Sequence, residues 1–253
     1  MIEKQPYKNR FPRAAEIFPL MKVADLSEMI PGIDLEGLQS SSDHPLMFLS
    51  SRRLSQEEAE WNAGDMPSQY FDGVMDLLSP SLTEEEVIER AKKAFDSFDD
   101  QIIIDLGAGR TAWPYRILAM PRSPKAYIGV DASEQNADAL WHDIGSEQVE
   151  FANGNRTASE SAPPAAVVAE DILTFLRRLP DNSVSIFMGG VDRLLIHDQG
   201  YWDSMSKEIE RVLSSEGGYI ALAGSHVEPP KAENISTEVI KGSSASLVVY
   251  KKT

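Results

Sequence analysis

From residue 102 to the end of the chain, short continuous apolar runs alternate with stretches of helical periodicity. Ile102-Ile103-Ile104, Ala126-Tyr127-Ile128-Gly129-Val130, Ala165-Ala166-Val167-Val168-Ala169, Val184-Ser185-Ile186-Phe187-Met188 and Tyr219-Ile220-Ala221-Leu222-Ala223 carry apolar residues at consecutive positions. Strands buried on both faces read this way, and such strands belong to parallel sheets. Between them, Ser133 can cap a helix running to about residue 144, and Phe175, Leu176 and Leu179 mark a short one. Trp202, Met205, Ile209, Val212 and Leu213 recur on one face of another, which Gly217-Gly218 stop. A short helix is expected around Trp113 to Met120, and residues 152–164, rich in Asn, Ser, Gly and Pro, read as a loop. Thr237-Glu238-Val239-Ile240 and Ser246-Leu247-Val248-Val249-Tyr250 flank a turn at Lys241-Gly242-Ser243-Ser244, the pattern of an antiparallel hairpin. Alternating strands and helices predict an α/β fold: a doubly wound, mostly parallel seven-stranded sheet ending in that hairpin.

The first part of the chain has a different rhythm. Ser55-Gln56-Glu57-Glu58 and Thr83-Glu84-Glu85-Glu86 have the form of capping boxes. After the second, Val87, Ala91, Ala94, Phe95 and Phe98 recur at helical spacing and lead into the first strand. Pro67 suits the first turn of a helix through Tyr70, Phe71, Val74, Met75 and Leu78. The expected organisation is a helical N-terminal extension over residues 1–82, covering a pocket, and a sheet domain over residues 83–253.

Composition narrows the chemistry. The formal net charge of −16 disfavours binding through a nucleic-acid backbone, and suits a small-molecule or protein partner. No cysteine is present, which removes disulfides, thiolate nucleophiles and cysteine-based zinc sites. The four histidines, His44, His142, His197 and His226, show no metal-ligand spacing, so no metal is expected. No apolar run approaches the ~20 residues of a bilayer span. No signal-peptide core is visible at the N-terminus, and a cytoplasmic location is expected.

The densest chemistry follows the first strand. Asp105 lies at the strand's carboxyl end, followed by Gly107-Ala108-Gly109. Glycine tolerates positive φ and lets backbone approach a ligand, and open α/β sheets bind ligands at this end. Gly107-Ala108-Gly109-Arg110-Thr111-Ala112 satisfies the dinucleotide pattern literally, so an NAD(P)-dependent oxidoreductase is an alternative. Asp105 separates the two readings. A carboxylate repels a diphosphate but welcomes the amino group and sulfonium of S-adenosylmethionine. Asp131, 22 residues beyond Gly109 at the next strand end, can accept from both ribose hydroxyls of either cofactor.

The order and spacing of these segments resemble the class I S-adenosylmethionine-dependent methyltransferases over roughly residues 83–253. Asp105-Leu106-Gly107-Ala108-Gly109 is similar to that family's first motif, Val130-Asp131-Ala132-Ser133 to its second, and Ala169-Glu170-Asp171-Ile172-Leu173 to its adenine motif. Arg211-Val212-Leu213-Ser214-Ser215-Glu216-Gly217-Gly218 resembles the run before its fifth strand, and the closing hairpin its sheet ending. Thr111 stands where a third glycine is frequent, and the fourth strand ends in Gly189-Gly190 without an Asn-Pro-Pro-Tyr tetrapeptide.

The resemblance implies a methyltransferase using S-adenosylmethionine on a small-molecule or protein acceptor. It implies Asp105 near the methionine end, Gly107, Ala108 and Gly109 against the ligand backbone, and Asp131 and Ala132 at the ribose. Glu170, Asp171 and Ile172 would lie at the adenine and Gly189 beneath the transferring methyl. His197 and Tyr201, just after the fourth strand, would face the acceptor, with His197 as a general base. Trp61, Trp113, Tyr70 and Phe71 are candidates for the pocket wall. A methyltransferase-like protein that binds without catalysing is the non-enzymatic alternative.

Overall fold

The structure is a computed structural model. It describes residues 26–42, 44, 47–50, 98, 100–110, 112, 115, 124–152, 163–188, 199–223, 235–241 and 246–252. Its elements in chain order are α1 (Leu26–Met29), β1 (Leu38–Ser40), β2 (Met47–Ser50), β3 (Ile102–Leu106), β4 (Ala126–Asp131) and α2 (Glu134–Ala152). Then follow β5 (Ala165–Ala169), α3 (Ile172–Arg178), β6 (Ser185–Met188), α4 (Gln199–Val212), β7 (Gly218–Ala223), β8 (Ile235–Lys241) and β9 (Ser246–Lys252).

The nine strands of the described residues join one sheet in the order β1-β2-β5-β4-β3-β6-β7-β9-β8. From β2 to β7 every neighbouring pair is parallel, while β8 and β9 form the antiparallel hairpin beside β7. The seven strands expected from the sequence are therefore present, doubly wound. The chain steps outward from β3 through β4 to β5, then returns to the other side of β3 with β6 and β7. The reversal falls between β3 and β6, the kind of switch point at which open sheets bind ligands beyond the carboxyl ends of their strands.

Two strands were not anticipated. β2 pairs parallel with β5, and β1 pairs antiparallel with β2, so residues 38–50 extend the sheet edge. Met47-Phe48-Leu49 is a short apolar run whose partner lies more than a hundred residues away, so periodicity could not reveal it. The capping-box and Pro67 helices expected further on lie outside the described residues, apart from Phe98, which is buried.

Strand alternation divides the apolar residues between two faces. Ile104, Leu106, Ile128, Val130, Val168, Ile186 and Met188 point to one face, covered by Phe175 and Leu176 of α3 and Met205, Ile209 and Val212 of α4. Leu26, Ile30 and Phe48 join the same cluster, so the N-terminal segment shares this core. Each fully buried side chain of this size contributes roughly 1.5–3 kcal/mol. On the other face, Leu140 of α2 packs so close to Gly129 that a Cβ there would collide with Leu140 Cδ2.

Local capping holds the helices in register. Ser133 Oγ accepts from Asn136 N–H at the start of α2 (3.3 Å), and α2 runs to Ala152, further than the sequence pattern suggested. Arg211 at the end of α4 donates to the carbonyls of Leu176 (2.9 Å) and Leu179 (2.7 Å), tying α4 to the end of α3.

Candidate functional site

The turn after β3 is built around two glycines in the left-handed region, Gly107 at φ 68° and Gly109 at φ 66°. A residue with a Cβ is strained there, which explains glycine at both positions. The amides of Gly107 and Ala108 both donate to Val130 O, at 2.9 and 3.0 Å, so the turn is tied to the end of β4. Among the described residues, a Cβ on Gly109 would meet nothing within 4 Å.

Asp131 closes this arrangement. Its Oδ2 accepts from Gly109 N–H (3.0 Å), and its Oδ1 accepts from Ser133 N–H (2.9 Å) and Asn136 Nδ2 (3.1 Å). One carboxylate thus links the glycine turn to the start of α2. A carboxylate offers about four acceptor sites, so Oδ2 keeps capacity for one further hydrogen bond, where the sequence suggested two ribose contacts. Burial pushes the Asp131 pKa up, while the three hydrogen bonds and Arg110 oppose that shift. Ala132 sits beside it, partly buried.

Asp105 lies on the sheet face opposite the main core, paired in register with Gly129. It is only 1% exposed, and Tyr127 Oη donates to its Oδ2 at 2.5 Å. Burial pushes its pKa up to about 7; the Tyr127 hydrogen bond pulls it down, and the Asp131 carboxylate pushes it further up. Two carboxylates therefore converge on the turn from successive strand ends, each costly to keep ionised. A cation bound there would relieve that cost, and a diphosphate would add to it.

The third strand end separates two adjacent acids. Glu170 is fully buried and turned inward. Arg178 grips it through Nε to Oε2 (2.6 Å) and Nη2 to Oε1 (2.8 Å), and Ser50 Oγ donates to Oε1 (2.6 Å). Asp171 instead caps α3, its Oδ1 accepting from Thr174 N–H and Oγ1, each at 2.9 Å. Its Oδ2 accepts from Tyr201 Oη (2.6 Å), and that hydroxyl accepts from Leu173 N–H (3.1 Å). Burial and the Asp171 carboxylate push the Tyr201 pKa up, so it is a neutral phenol at physiological pH. Ile172, 6% exposed, starts the helix below.

Asp105, Gly107, Ala108, Gly109, Asp131 and Ala132 are thus gathered around one turn, with Asp171 and Ile172 at the neighbouring strand end. Glu170 faces the ion pair with Arg178. Tyr201 is bound to the Asp171 cap. Gly189, Gly190, His197, Trp61, Tyr70, Phe71 and Trp113 lie outside the described residues. Sequence reasoning missed Tyr127 and Asn136. Tyr127 is hidden inside an apolar strand, whereas Asn136, in the first turn after Asp131, stood in a position that could have signalled its role.

Strand order, switch point and terminal hairpin make this a Rossmann-like α/β fold, a doubly wound, mostly parallel sheet closed by an antiparallel hairpin. No protein-family model matches the chain, and no curated protein does. Among solved structures, the chain is similar to a TehB-like SAM-dependent methyltransferase from Corynebacterium glutamicum, at 12% identity and TM-score 0.40, covering 78% of this chain and 94% of that one. It is similar to a SAM-dependent methyltransferase from Aquifex aeolicus, at 14% identity and TM-score 0.42, covering 78% and 98%. A precorrin-6Y C5,15-methyltransferase from Geobacter metallireducens aligns at 18% identity and TM-score 0.42, covering 69% and 92%.

Proposed function

We propose that the chain is an S-adenosylmethionine-dependent methyltransferase acting on a small-molecule or protein acceptor. The observation that carries this reading is the buried Asp105 beneath a positive-φ glycine turn whose Gly109 amide is held by Asp131. The residues fit the cofactor: a positive-φ glycine turn, one unused acceptor site on Asp131, and two carboxylates whose burial penalises their charge beside a ligand with two cationic groups. Asp105 balances the charge of the methionine end, Asp131 accepts from a ribose hydroxyl, and Asp171 and Ile172 flank the adenine. The cofactor supplies an electrophilic methyl carbon. The chain's residues hold the acceptor in line with it, which alone lowers the barrier by removing orientational freedom.

From their place in the sequence after β6, Gly189 is assigned to the floor beneath the transferring methyl and His197 to the acceptor side, taking the acceptor's proton where one is released. Tyr201 acts as a positioning residue, because its hydroxyl bridges Asp171 and the start of α3. Among the described residues no helix is long and apolar enough to cross a membrane.

Thermal-shift titration tests the reading. S-adenosylhomocysteine at 100-fold above its Kd should stabilise the chain by about 2.7 kcal/mol, whereas NAD(H) and NADP(H) should not. Asp131→Ala should weaken S-adenosylhomocysteine binding by about 1.5–3 kcal/mol by calorimetry, with the fold retained. A response to nicotinamide cofactors alone would replace this reading with the oxidoreductase one.

A further inference from the structure

Histidines far apart in sequence come together where α2 meets the β1–β2 edge of the sheet. His142 and Asp138 stand one turn apart on α2 and share a face. His44 belongs to the loop between β1 and β2, which is closed by hydrogen bonds from Ser41 N–H to Met47 O (2.7 Å) and from Met47 N–H to His44 O (2.8 Å). His44 Nε2 lies 2.8 Å from Asp138 Oδ1, and His142 Nε2 lies 4.0 Å from the same oxygen. One donor atom from each of the three residues lies within 4.8 Å of the others. Trp141, 1% exposed, packs its ring 4.4 Å from the His44 ring and 5.0 Å from the His142 ring, so a single indole orients both imidazoles.

We propose that His44, Asp138 and His142 form a binding site for a divalent transition-metal ion of the zinc type, which clips the β1–β2 loop onto α2. Two imidazole nitrogens and one carboxylate oxygen are the donor set such ions favour, whereas magnesium and calcium prefer oxygen alone. A tetrahedral ion with donors at about 2.0–2.1 Å keeps them about 3.4 Å apart. The observed separations from Asp138 Oδ1, 2.8 and 4.0 Å, bracket that value, so small side-chain rotations bring both imidazoles into place. Water takes the fourth position. All three residues are partly buried, which leaves that position reachable from solvent. The strongly acidic chain, at net charge −16, favours capture of a cation. Because His44 is distant in sequence from α2, the ion closes a long loop, the kind of cross-link that most restricts the unfolded chain.

The test uses the full chain, stripped with a chelator and titrated with Co2+. With no cysteine in the sequence, thiolate bands cannot confuse the spectrum. The expected result is a visible d–d band saturating at one ion per chain, displaced by Zn2+ and unaffected by millimolar Mg2+. His44→Gln, Asp138→Asn and His142→Gln should each weaken Co2+ binding by at least about 100-fold, while His226→Gln leaves it intact. Saturating Zn2+ should also raise Tm by several degrees. X-ray absorption on the wild-type zinc complex should count two imidazoles, independently of whether any variant folds. Failure of the wild type to bind Co2+, binding that survives all three substitutions, or an imidazole count other than two would overturn the proposal. The cluster would then be a hydrogen-bonded His–Asp pair packed on Trp141.

Discussion

Asp105 shows how a residue can be costly to the fold and useful to the site. Its carboxyl is pushed up to about 7, against an ordinary value of 3.8, so the folded chain keeps a proton that the unfolded chain has released across that interval. The stabilisation is complete below about pH 4 and is lost as pH rises through 7. Asp105→Asn mimics the protonated form and still accepts from Tyr127. The variant should therefore be more stable than wild type at pH 8, by on the order of 2–4 kcal/mol, and the gap should narrow as pH falls and close near about pH 4. S-adenosylmethionine binding should weaken in the same variant, because the charge meeting its cationic end is gone. Melting curves across pH with parallel calorimetry check both arms; equal melting at pH 8 contradicts the burial argument. Tyr201 is the second residue-scale case. Tyr201→Phe removes the donor to Asp171 and the acceptor for Leu173 N–H, costing about 1–3 kcal/mol in urea unfolding. As a positioning residue its loss should raise KM for S-adenosylmethionine more than it slows turnover. A loss of turnover of about 100-fold or more, with KM unchanged, would instead mark it as an acid or base.

At the scale of elements, Arg178 does more than pair with Glu170. Its Nη1 also donates to the carbonyls of Asp34 (3.1 Å) and Glu36 (2.6 Å), so the end of α3 holds the segment between α1 and β1. Glu170 at the end of β5 receives Ser50 from β2 as well as Arg178 from α3, which joins three elements through one buried carboxylate. Arg178→Met should cost about 3–5 kcal/mol, because it strands Glu170 without a counter-charge. The double variant Glu170→Gln with Arg178→Met should recover much of that loss, since no buried charge remains. Denaturant unfolding of the four chains of the cycle measures this coupling, and simple additivity would contradict it.

At the scale of the molecule, the sheet is one continuous layer from β1 to β8, and residues 38–50 are part of it. Leu26, Ile30 and Phe48 lie in the same apolar cluster as Ile104 and Val168. A chain starting at residue 51 would expose that cluster and leave β5 as an open parallel edge, a template for aggregation. Such a chain should lose cooperative thermal unfolding and accumulate as aggregates, by calorimetry and light scattering. Recovery of a soluble, cooperatively melting 51–253 chain would show that the sheet does not need its N-terminal edge.

The sequence alone determined the strand–helix alternation, the hairpin, and the glycine turn with its flanking acids. These are local signals: apolar runs, capping residues and positive-φ glycines act within a few residues of one another. Only the tertiary structure decided how the acids divide their work. Glu170 and Asp171 are neighbours in the chain, but strand alternation and the reach of Arg178 send one into an ion pair and the other onto a helix cap. The tether between Asp131 and Gly109, the tie between Tyr127 and Asp105, and the meeting of His44 with Asp138 and His142 join residues from separate elements. Their register depends on how the sheet twists and packs, and no pattern along a single chain encodes that distance.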